Sequence, residues 1–462
     1  MSHSSRRKFL RQIGATGLVA ASAAFPAVSR ARAEARMLRY DRRFSANDTV
    51  RIGVIGYGIQ GHFDLRSALR VPGVELAAIC DLYTGRTEKA REEHGKNVFV
   101  TRDYRELLRR DDIDAVIIAS HDCWHAKHTL DALAAGKHVY IEKPMVYRID
   151  EGYKVMQAAK KSDRVLQVGS QRVSNLAYAK AKELLAAGEI GALNMVNAVY
   201  DRQSSIGAWQ YSIPPDASAA TTDWDEFIRV TERMPFDAKK FFWWRAFKEI
   251  GTGVAGDLFI HLLSGVHFIT DSLGPETIYS TGQFSYWNDG RNLPDVMSGV
   301  MQYPDSDQHP AFQLTLRTNF IAGTGGEEVT QLIGSEGTID IGWGGLTVKR
   351  SLMPEAPGFG GYDSVFTLPE AVQQRMQQDY DARWTTAQRT APTKEDIVFR
   401  LPEGYSDHVD HFTHFFDAIR GGTPVVEDAE FGFRAVAPAL ACNESYFKQQ
   451  VVKWNPRKLK LD

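Results

Sequence analysis

RIGVIGYGIQG, residues 51–61, is the stretch that decides the fold of this chain. It begins inside a run of branched apolar residues, 50–55, that is typical of a buried parallel strand. Gly56, Gly58 and Gly61 follow at the spacing GxGxxG. In such a turn the first glycine makes the bend, the second lets a pyrophosphate approach the backbone, and the third lets a helix pack closely on the strand. The pattern predicts a nucleotide phosphate at a helix N-terminus, where unpaired N–H groups and the helix dipole favour negative charge.

A second apolar run, residues 74–80, indicates which nucleotide is bound. It ends in Asp81, about twenty residues beyond the last glycine, where a carboxylate can accept a hydrogen bond from a ribose 2′-hydroxyl. Its charge would repel a 2′-phosphate, so the sequence favours NAD over NADP. Arg86 is close enough in sequence to leave NADP possible. The cofactor-binding residues predicted from this stretch are Gly56, Tyr57, Gly58, Ile59, Gln60, Gly61, Asp81 and Arg86.

The composition excludes several classes of partner. The chain has 462 residues, enough for two sizeable cores, and a formal net charge of −2. This balance gives no reason to expect nucleic acid or an anionic membrane as a partner. Cys80, Cys123 and Cys442 are widely spaced and lack paired metal-ligand spacing, so they are expected to be buried apolar residues, and no metal site is predicted.

The N-terminal segment has the pattern of an export signal. SRRKFL at residues 5–10 is a twin-arginine pattern, and a weakly apolar run at 13–28 and the small-residue site Ala31-Arg32-Ala33 follow. We therefore predict a twin-arginine signal peptide at residues 1–33 and a periplasmic or otherwise exported protein. Residues 34–49 would form a polar arm. The apolar run is too weak for a membrane span, so no integral membrane protein is expected.

Two different patterns divide the rest of the chain. Strands alternate with helices in residues 50–172, which predicts a doubly wound parallel sheet that binds the nucleotide. Residues 173–456 contain strands with hairpin-length connections, which predicts a second α/β domain with an open, mostly antiparallel sheet. Helices at 256–269 and 408–419 are expected to cover one face of that second sheet. Residues 362–396 give the weakest pattern.

Two separated motifs contain residues suited to catalysis. Glu142-Lys143-Pro144 closes an apolar strand, and ligands of open α/β sheets bind outside the carboxyl ends of the strands, so Lys143 is expected in the nucleotide cleft. A surface lysine at a strand end fits the same pattern. Asp257 and His261 are four apart after a glycine-rich stretch, so they would share one face of a helix. A carboxylate beside an imidazole raises its basicity for proton abstraction from an alcohol, although such a pair can also be structural.

Taken together, the motifs resemble the Gfo/Idh/MocA family, named after glucose-fructose oxidoreductase, inositol dehydrogenase and rhizopine catabolism, over residues 50–456. The segments that carry the resemblance are the glycine loop, Ser120 to His125, Glu142-Lys143-Pro144, Trp224-Asp225 through Trp244-Arg245, Asp257 to His261 and Gly334 to Thr338. The resemblance implies a Rossmann domain joined to an open-sheet domain, with a sugar or polyol bound between them. It also implies NAD(P)-dependent hydride transfer at a CH–OH group and a homodimer or tetramer.

The resemblance further implies a role for each candidate residue. Lys143 would hydrogen-bond the reacting hydroxyl and lower its pKa, His261 would take or return the proton, and Asp257 would bind substrate hydroxyls and hold His261. Further cofactor-binding residues would be Ser120, His125, Glu142 and Lys143, with His125 on the nicotinamide side. Substrate-binding residues would be Arg172, Trp244, Arg245, Asp257 and His261. Other residues suited to a sugar are Asp225, Trp209, Tyr211, Trp243 and Trp287. The core is the expected place for any single one of these aromatic residues, but one or two of the group are expected to touch the substrate.

Export would constrain the use of the cofactor. Free NAD is scarce outside the cytoplasm, so we expect the nucleotide to stay bound and to be restored within each cycle. Three functions stay open: an oxidoreductase acting on sugars, a redox-neutral glycosidase or lyase that acts through a transient keto-sugar, and a non-catalytic sugar-binding protein on the same scaffold. The ligand in each case is a small sugar or glycoside.

Overall fold

A computed structural model describes residues 48–462 of the chain. The predicted twin-arginine signal peptide and nearly all of the predicted arm lie outside these residues, so both stay predictions. Residues 50–462 form one compact unit. None of the helices in the described part of the chain is long and apolar enough to cross a membrane.

The first sheet has six parallel strands within the described residues. These strands are β1 (Val50–Ile55), β2 (Val74–Cys80), β3 (Phe99–Thr101), β4 (Ala115–Ile118), β5 (His138–Glu142) and β6 (Leu166–Gly169). The helices of this part are α1 (Ile59–Ala68), α2 (Thr84–His94), α3 (Tyr104–Leu108), α4 (Asp122–Ala134) and α5 (Ile149–Lys161). The strand order β3-β2-β1-β4-β5-β6 reverses direction between β1 and β4, which places a crevice at the carboxyl ends of these two strands. The predicted doubly wound parallel sheet is confirmed.

The glycine turn has the geometry that its sequence predicts. β1 is buried along most of its length because parallel strands are covered on both faces. α1 begins directly after Gly58. A Cβ atom on Gly61 would lie 2.0 Å from the carbonyl oxygen of Gly56, so only glycine allows the helix to start this close to the strand.

The second sheet has ten strands within the described residues. These strands are β7 (Leu193–Asp201), β8 (Thr277–Gln283), β9 (Val296–Tyr303), β10 (Phe312–Asn319), β11 (Glu327–Gly334), β12 (Gly337–Gly342), β13 (Gly345–Arg350), β14 (Ile397–Arg400), β15 (Val452–Asn455) and β16 (Lys460–Leu461). They lie in the order β14-β13-β12-β11-β7-β10-β9-β8-β15-β16. β7 and β10 pair in parallel and the other neighbours pair antiparallel, which confirms the predicted mostly antiparallel sheet.

Helices of the second part follow the same chain order. They are α6 (Leu176–Ala186), α7 (Trp224–Phe227), α8 (Ala238–Phe242), α9 (Ile260–Thr270), α10 (Glu370–Arg383), α11 (Thr386–Arg389), α12 (Asp407–Gly421) and α13 (Ala429–Lys448). A π-helical turn, Ala255–Phe259, directly precedes α9. Short 3-10 helices occupy Gly95–Asn97, Gln171–Ser174, Trp244–Ala246 and Ser364–Thr367.

Helix α12 packs on the first sheet, which differs from the expectation that it covers the second. The ring of Phe412 stacks on Tyr140 of β5 with centroids 4.2 Å apart. The Nε2 atom of His411 lies 2.7 Å from the carbonyl oxygen of Val168 in β6. The apolar stripe of an amphipathic helix predicts that one face is buried, but it does not identify the sheet that buries it.

Helix α13 was not predicted, and it lies between the two sheets. On one side, a Cβ atom on Gly432 would lie 2.6 Å from a methyl carbon of Val168 in β6. On the other side, the hydroxyl of Ser445 accepts a hydrogen bond from the backbone N–H of Ser280 in β8. The helix contains Pro438, a residue that normally ends or kinks a helix, and this obscured its pattern in the sequence.

Candidate active site

A crevice at the carboxyl ends of β1, β2 and β4 forms the candidate nucleotide cleft. Seven of the predicted cofactor-binding residues line it: Gly56, Gly58, Ile59, Gln60, Asp81, Arg86 and Ser120. Sequence reasoning missed other lining residues, which include Arg102, Tyr104, His121, Trp124, His128 and Phe242. His121 and Trp124 belong to the Ser120 to His125 segment that carries the resemblance, whereas Tyr104, His128 and Phe242 follow no motif and reach the cleft through the packing of α3, α4 and α8.

Asp81 is held in place at the end of β2. Its carboxylate accepts hydrogen bonds from the backbone N–H groups of Tyr57, at 2.7 Å, and Tyr83, at 2.8 Å. Arg86 Nη1 lies 3.5 Å from Asp81 Oδ2, and the guanidinium lies next to Gly58. A carboxylate therefore stands where a ribose hydroxyl is expected, with a cation beside it. The side chain of Tyr57 turns away, and its hydroxyl donates to Glu93 at 2.7 Å.

A second cavity of about 430 Å³ adjoins the nucleotide cleft. The two share Ile59, Gln60, Tyr211 and Arg245 in their walls. We call this second cavity the catalytic cavity. Its lining includes five residues predicted from the sequence, Glu142, Lys143, Arg172, Asp257 and His261, and also Tyr200, which was not predicted. Residues more than one hundred positions apart in the sequence therefore meet at one place. Glu142 and Lys143, which the sequence assigns to the nucleotide cleft, line this cavity and not the cleft.

Lys143 and Asp257 form an ion pair in this cavity. Lys143 Nζ donates to Asp257 Oδ1 at 2.7 Å and to the Asp257 carbonyl oxygen at 3.0 Å. Arg245 Nε donates to the same Oδ1 at 2.9 Å, and Trp209 Nε1 donates to Oδ2 at 3.2 Å. Burial alone would raise the pKa of Asp257, but Lys143 and Arg245 hold it well below its usual value. Asp257 therefore stays ionised and fixes the ammonium group of Lys143.

The local backbone explains how these groups meet. Lys143 directly follows β5, so its side chain leaves the carboxyl end of the sheet. A Cβ atom on Gly251 would lie 2.7 Å from the carbonyl oxygen of Trp244, so this glycine allows the segment before the π-helical turn to pass close to Arg245. The Lys143–Pro144 peptide bond is cis.

His261 has different surroundings from those that the sequence predicts. The four hydrogen bonds to the Asp257 carboxylate and carbonyl come from Lys143, Arg245 and Trp209, and within the described residues Nδ1 of His261 is buried without a hydrogen-bond partner. A π-helical turn carries Asp257, so the simple one-turn spacing of an α-helix does not apply. Burial, with the charges of Lys143 and Arg172, lowers the pKa of His261 well below 6.5. The imidazole is therefore neutral and able to accept a proton.

Glu142 is buried behind Lys143. Its Oε1 atom accepts hydrogen bonds from Gln171 Nε2 at 2.9 Å and from Gln60 Nε2 at 3.4 Å. Burial raises its pKa to about 7, although Lys143 pulls in the opposite direction. This carboxyl group is thus protonated far more readily than Asp257 on the other side of the lysine.

The far wall of the catalytic cavity comes from the second sheet and α12. Arg172 forms ion pairs with Glu328 of β11 and with Asp407 at the start of α12, the second at 3.4 Å. Asn175 Nδ2 also donates to Asp407, at 3.0 Å. Sequence reasoning found Arg172 but missed both acids, because a single polar residue on a strand or at a helix start gives no local signal of a site.

Several predicted residues lie elsewhere. His125 lines neither cavity, because its ring nitrogens face the carbonyl oxygens of Pro144, at 2.7 Å, and Ser120, at 3.1 Å. Trp244 lines the nucleotide cleft rather than the catalytic cavity. Asp225 is exposed, and Trp209 is buried as a hydrogen-bond donor to Asp257. Tyr211 lines both cavities, whereas Gly61, Tyr57, Trp243 and Trp287 line neither.

Comparisons with known proteins agree with this geometry. Residues 50–170 match the family described as "Oxidoreductase family, NAD-binding Rossmann fold", and residues 227–454 match its "C-terminal alpha/beta domain". An inositol 2-dehydrogenase of Salmonella paratyphi B is 32% identical over 160 residues, which are 34% of this chain and 48% of that protein. An alpha-N-acetylgalactosaminidase of Shewanella oneidensis is 33% identical over 157 residues, 32% of each chain. The chain thus matches less than half the length of these curated relatives.

A solved structure extends the likeness to both domains. Scyllo-inositol dehydrogenase of Lactobacillus casei, with bound NAD(H) and scyllo-inositol, superposes with a TM-score of 0.57 at 19% identity. The superposition covers 88% of this chain and 99% of that one. At this identity the likeness establishes the fold alone. The two family matches together cover most of the described residues, and this chain belongs to the Gfo/Idh/MocA oxidoreductase family, with an NAD-binding Rossmann domain.

Proposed function

We propose that this protein is an NAD-dependent oxidoreductase that transfers a hydride between a CH–OH carbon of a sugar or polyol and nicotinamide. The observation that carries the proposal is the meeting of Lys143, Asp257 and His261 in a cavity that adjoins the nucleotide cleft. The residues present fit the cofactor, since the glycine turn leads into α1 and Asp81 stands at the end of β2. Bound NAD would supply the hydride acceptor.

The residues of the chain would prepare the alcohol for oxidation. An ammonium group has three N–H donors, and two of those of Lys143 go to Asp257, which leaves one for the oxygen of a substrate hydroxyl. That contact stabilises the developing alkoxide. The neutral imidazole of His261 would accept the hydroxyl proton, and Asp257 holds the ammonium group of Lys143 in position.

The test is reduction of the nucleotide by sugars. The purified protein is incubated with NAD and a panel of sugars and polyols, and the absorbance of reduced nicotinamide is followed. We expect at least one member of the panel to reduce the nucleotide. If none does, no glycoside is cleaved, and sugars bind equally well to the parent and to the Lys143→Ala variant, the protein is a non-catalytic sugar-binding protein instead.

A second candidate is a redox-neutral glycosidase or lyase. The relative named alpha-N-acetylgalactosaminidase favours it, because it shares part of the chain with this protein. In this reaction a hydride would pass from an alcohol carbon to bound NAD and leave a ketone, the neighbouring C–H would lose its proton, and the glycosidic substituent would leave as an alcohol. In a glycosidase water would then add to the unsaturated ketone, in a lyase it would not, and the hydride would return from NADH to the ketone carbon. Release of nitrophenol from a nitrophenyl glycoside without accumulation of NADH would identify this reaction, whereas accumulation of NADH would identify a net dehydrogenase.

We further infer that the protein is exported and keeps its nucleotide bound. The twin-arginine pattern at residues 5–10 supports export. Cell fractionation of the parent and of an Arg6→Lys, Arg7→Lys variant tests it, and the variant is expected to stay in the cytoplasm. Native mass measured after purification without added nucleotide tests retention. Assembly into a dimer or tetramer is a related proposal, for which light scattering is the measurement.

A further inference from the structure

The charges that line the catalytic cavity are not evenly paired. Its cationic side chains are Lys143, Arg172, Arg202 and Arg245. Asp257 pairs with Lys143 and Arg245, and Arg172 pairs with both Glu328 and Asp407. These three cations and three carboxylates balance one another. Glu142 also borders the cavity, but it is only 3% exposed and accepts hydrogen bonds from two glutamines.

Arg202 is the cation that remains. Within the described residues no carboxylate lies within ion-pair distance of it, and Arg202 Nη1 donates to the carbonyl oxygen of Gly207 at 2.9 Å. Its guanidinium carbon lies 5.2 Å from the ring centroid of Tyr200 and 5.8 Å from that of Phe320. A guanidinium has five N–H donors, so contacts with Gly207 and the Tyr200 side chain leave donors for a ligand.

The guanidinium of Arg202 is also fixed in advance. The backbone N–H of Arg202 donates to Asn319 at 2.8 Å, and its carbonyl oxygen accepts from Ala322 at 3.1 Å, so the residue is attached to the chain that follows β10. The loop that follows packs on its side chain, since a Cβ atom on Gly207 would lie 3.0 Å from Arg202 Cβ. A cation held in this way loses little conformational entropy when it binds an anion.

Arg202 and the proton acceptor His261 both lie near the ring of Tyr200. The centroid of this ring is 6.2 Å from that of His261 and 5.2 Å from the guanidinium carbon of Arg202. Asp257 also experiences the charge of Arg202. A ligand whose reacting carbon lies at His261 can therefore reach Arg202 with a substituent on the other side of its ring.

We propose that the catalytic cavity selects a sugar acid such as a hexuronate, whose carboxylate pairs with Arg202 while its reacting CH–OH group lies between Lys143 and His261. A carboxylate fits because its single negative charge matches one unpaired cation and its two oxygens match the planar fork of a guanidinium. The inference rests on the proposed oxidoreductase function and specifies its substrate class. A neutral sugar of the same size would leave Arg202 desolvated without an anion.

The experiment compares sugars that differ only in the carboxylate. The full-length protein with NAD is assayed with D-glucuronate against D-glucose and with D-galacturonate against D-galactose, and binding of each sugar is measured in parallel by thermal shift. The expected result is a kcat/KM for the preferred uronate about 10- to 100-fold above that of its neutral counterpart. Arg202→Gln is expected to remove this advantage. Arg317→Gln is the matched control, because Arg317 is an exposed arginine that pairs with Asp201, the neighbour of Arg202, and lines neither cavity.

The outcomes separate this inference from the proposed function. Neutral sugars that react as well as uronates, or a uronate preference that Arg202→Gln leaves unchanged, would overturn the inference and leave the oxidoreductase function intact. Uronate binding that depends on Arg202 without any nucleotide reduction would support the anionic ligand and overturn the oxidoreductase function. Failure of every uronate both to bind and to react would overturn the inference. An equal loss in Arg202→Gln and Arg317→Gln would assign the effect to structure and also overturn it.

Discussion

The nucleotide cleft and the catalytic cavity are adjacent, yet the chain builds them in opposite ways. Most of the cleft comes from three strand ends and the turns that follow them, within the first parallel sheet. The cavity takes its residues from β5, β7, β11, the π-helical turn and α12. The cleft therefore depends on backbone geometry that a few glycines allow. The cavity depends on charged side chains that only the complete tertiary structure brings together.

Lys143→Ala is expected to have the largest effect, and it should separate the function of the catalytic cavity from that of the nucleotide cleft. Loss of the ammonium group removes stabilisation of the developing alkoxide, so turnover should fall about 100- to 10,000-fold. NAD binding should persist, because Lys143 does not line the nucleotide cleft. Initial rates and an NAD titration measure the two effects. Lys127→Ala, a surface lysine that pairs with Asp131, is the control, and near-normal turnover of Lys143→Ala would remove the lysine from the mechanism.

Glu142→Gln tests the carboxyl group at the boundary of the two regions. The folded-state pKa of Glu142 is raised to about 7, so its contribution to stability is complete below its ordinary pKa of 4.5 and is lost as the pH rises through 7. The variant should not lose this stability, so its free energy of unfolding should rise relative to that of the parent by up to about 3 kcal/mol between about pH 5 and pH 8. Unfolding of the parent and the variant in denaturant at both pH values measures this difference in the free energy of unfolding. Glu183→Gln, an exposed control, should show no such pH-dependent gain, and an equal gain in both variants would contradict the burial argument.

Gly61→Ala tests whether the cleft depends on backbone approach. The new Cβ atom would lie 2.0 Å from the carbonyl oxygen of Gly56, so α1 must move away from β1 at a cost of about 1 to 3 kcal/mol. We expect a lower melting temperature and NAD affinity weakened about tenfold, measured by calorimetry. Gly358→Ala, where the added atom meets nothing within 4 Å, is the matched control. Unchanged NAD affinity in Gly61→Ala would break the distinction between a backbone-built cleft and a side-chain-built cavity.

The smallest expected effect concerns the pH dependence of kcat/KM. As the proposed base, His261 must be neutral to accept a proton, and its pKa is held well below 6.5, so the acid limb of the profile should lie below pH 6.5. Arg172 is one of the charges that lower this pKa, so Arg172→Gln should move the limb to higher pH by a fraction of a unit. An acid limb above pH 6.5 in the parent would mean that another group is the base.

The sequence predicted those parts of the site that depend on local geometry. The glycine turn, Asp81 and Lys143 follow strand ends, and the period of a strand or helix is enough to place them. The lack of a hydrogen bond between His261 and the Asp257 carboxylate was not predictable, because a π-helical turn replaces the regular helical spacing and Trp209 donates a hydrogen bond to that carboxylate. Arg202, Glu328 and Asp407 are single polar residues at the ends or edges of separate elements. No pattern distinguishes them from surface charges until β7, β11 and α12 meet.

Helix α13 has a consequence for how substrate enters. It is buried against β6 on one side and β8 on the other, so it connects the two sheets of the molecule. Rotation of one half away from the other would break the contacts of α13 with β6 or with β8. We therefore expect a ligand to enter the catalytic cavity without a hinge motion that separates the two sheets.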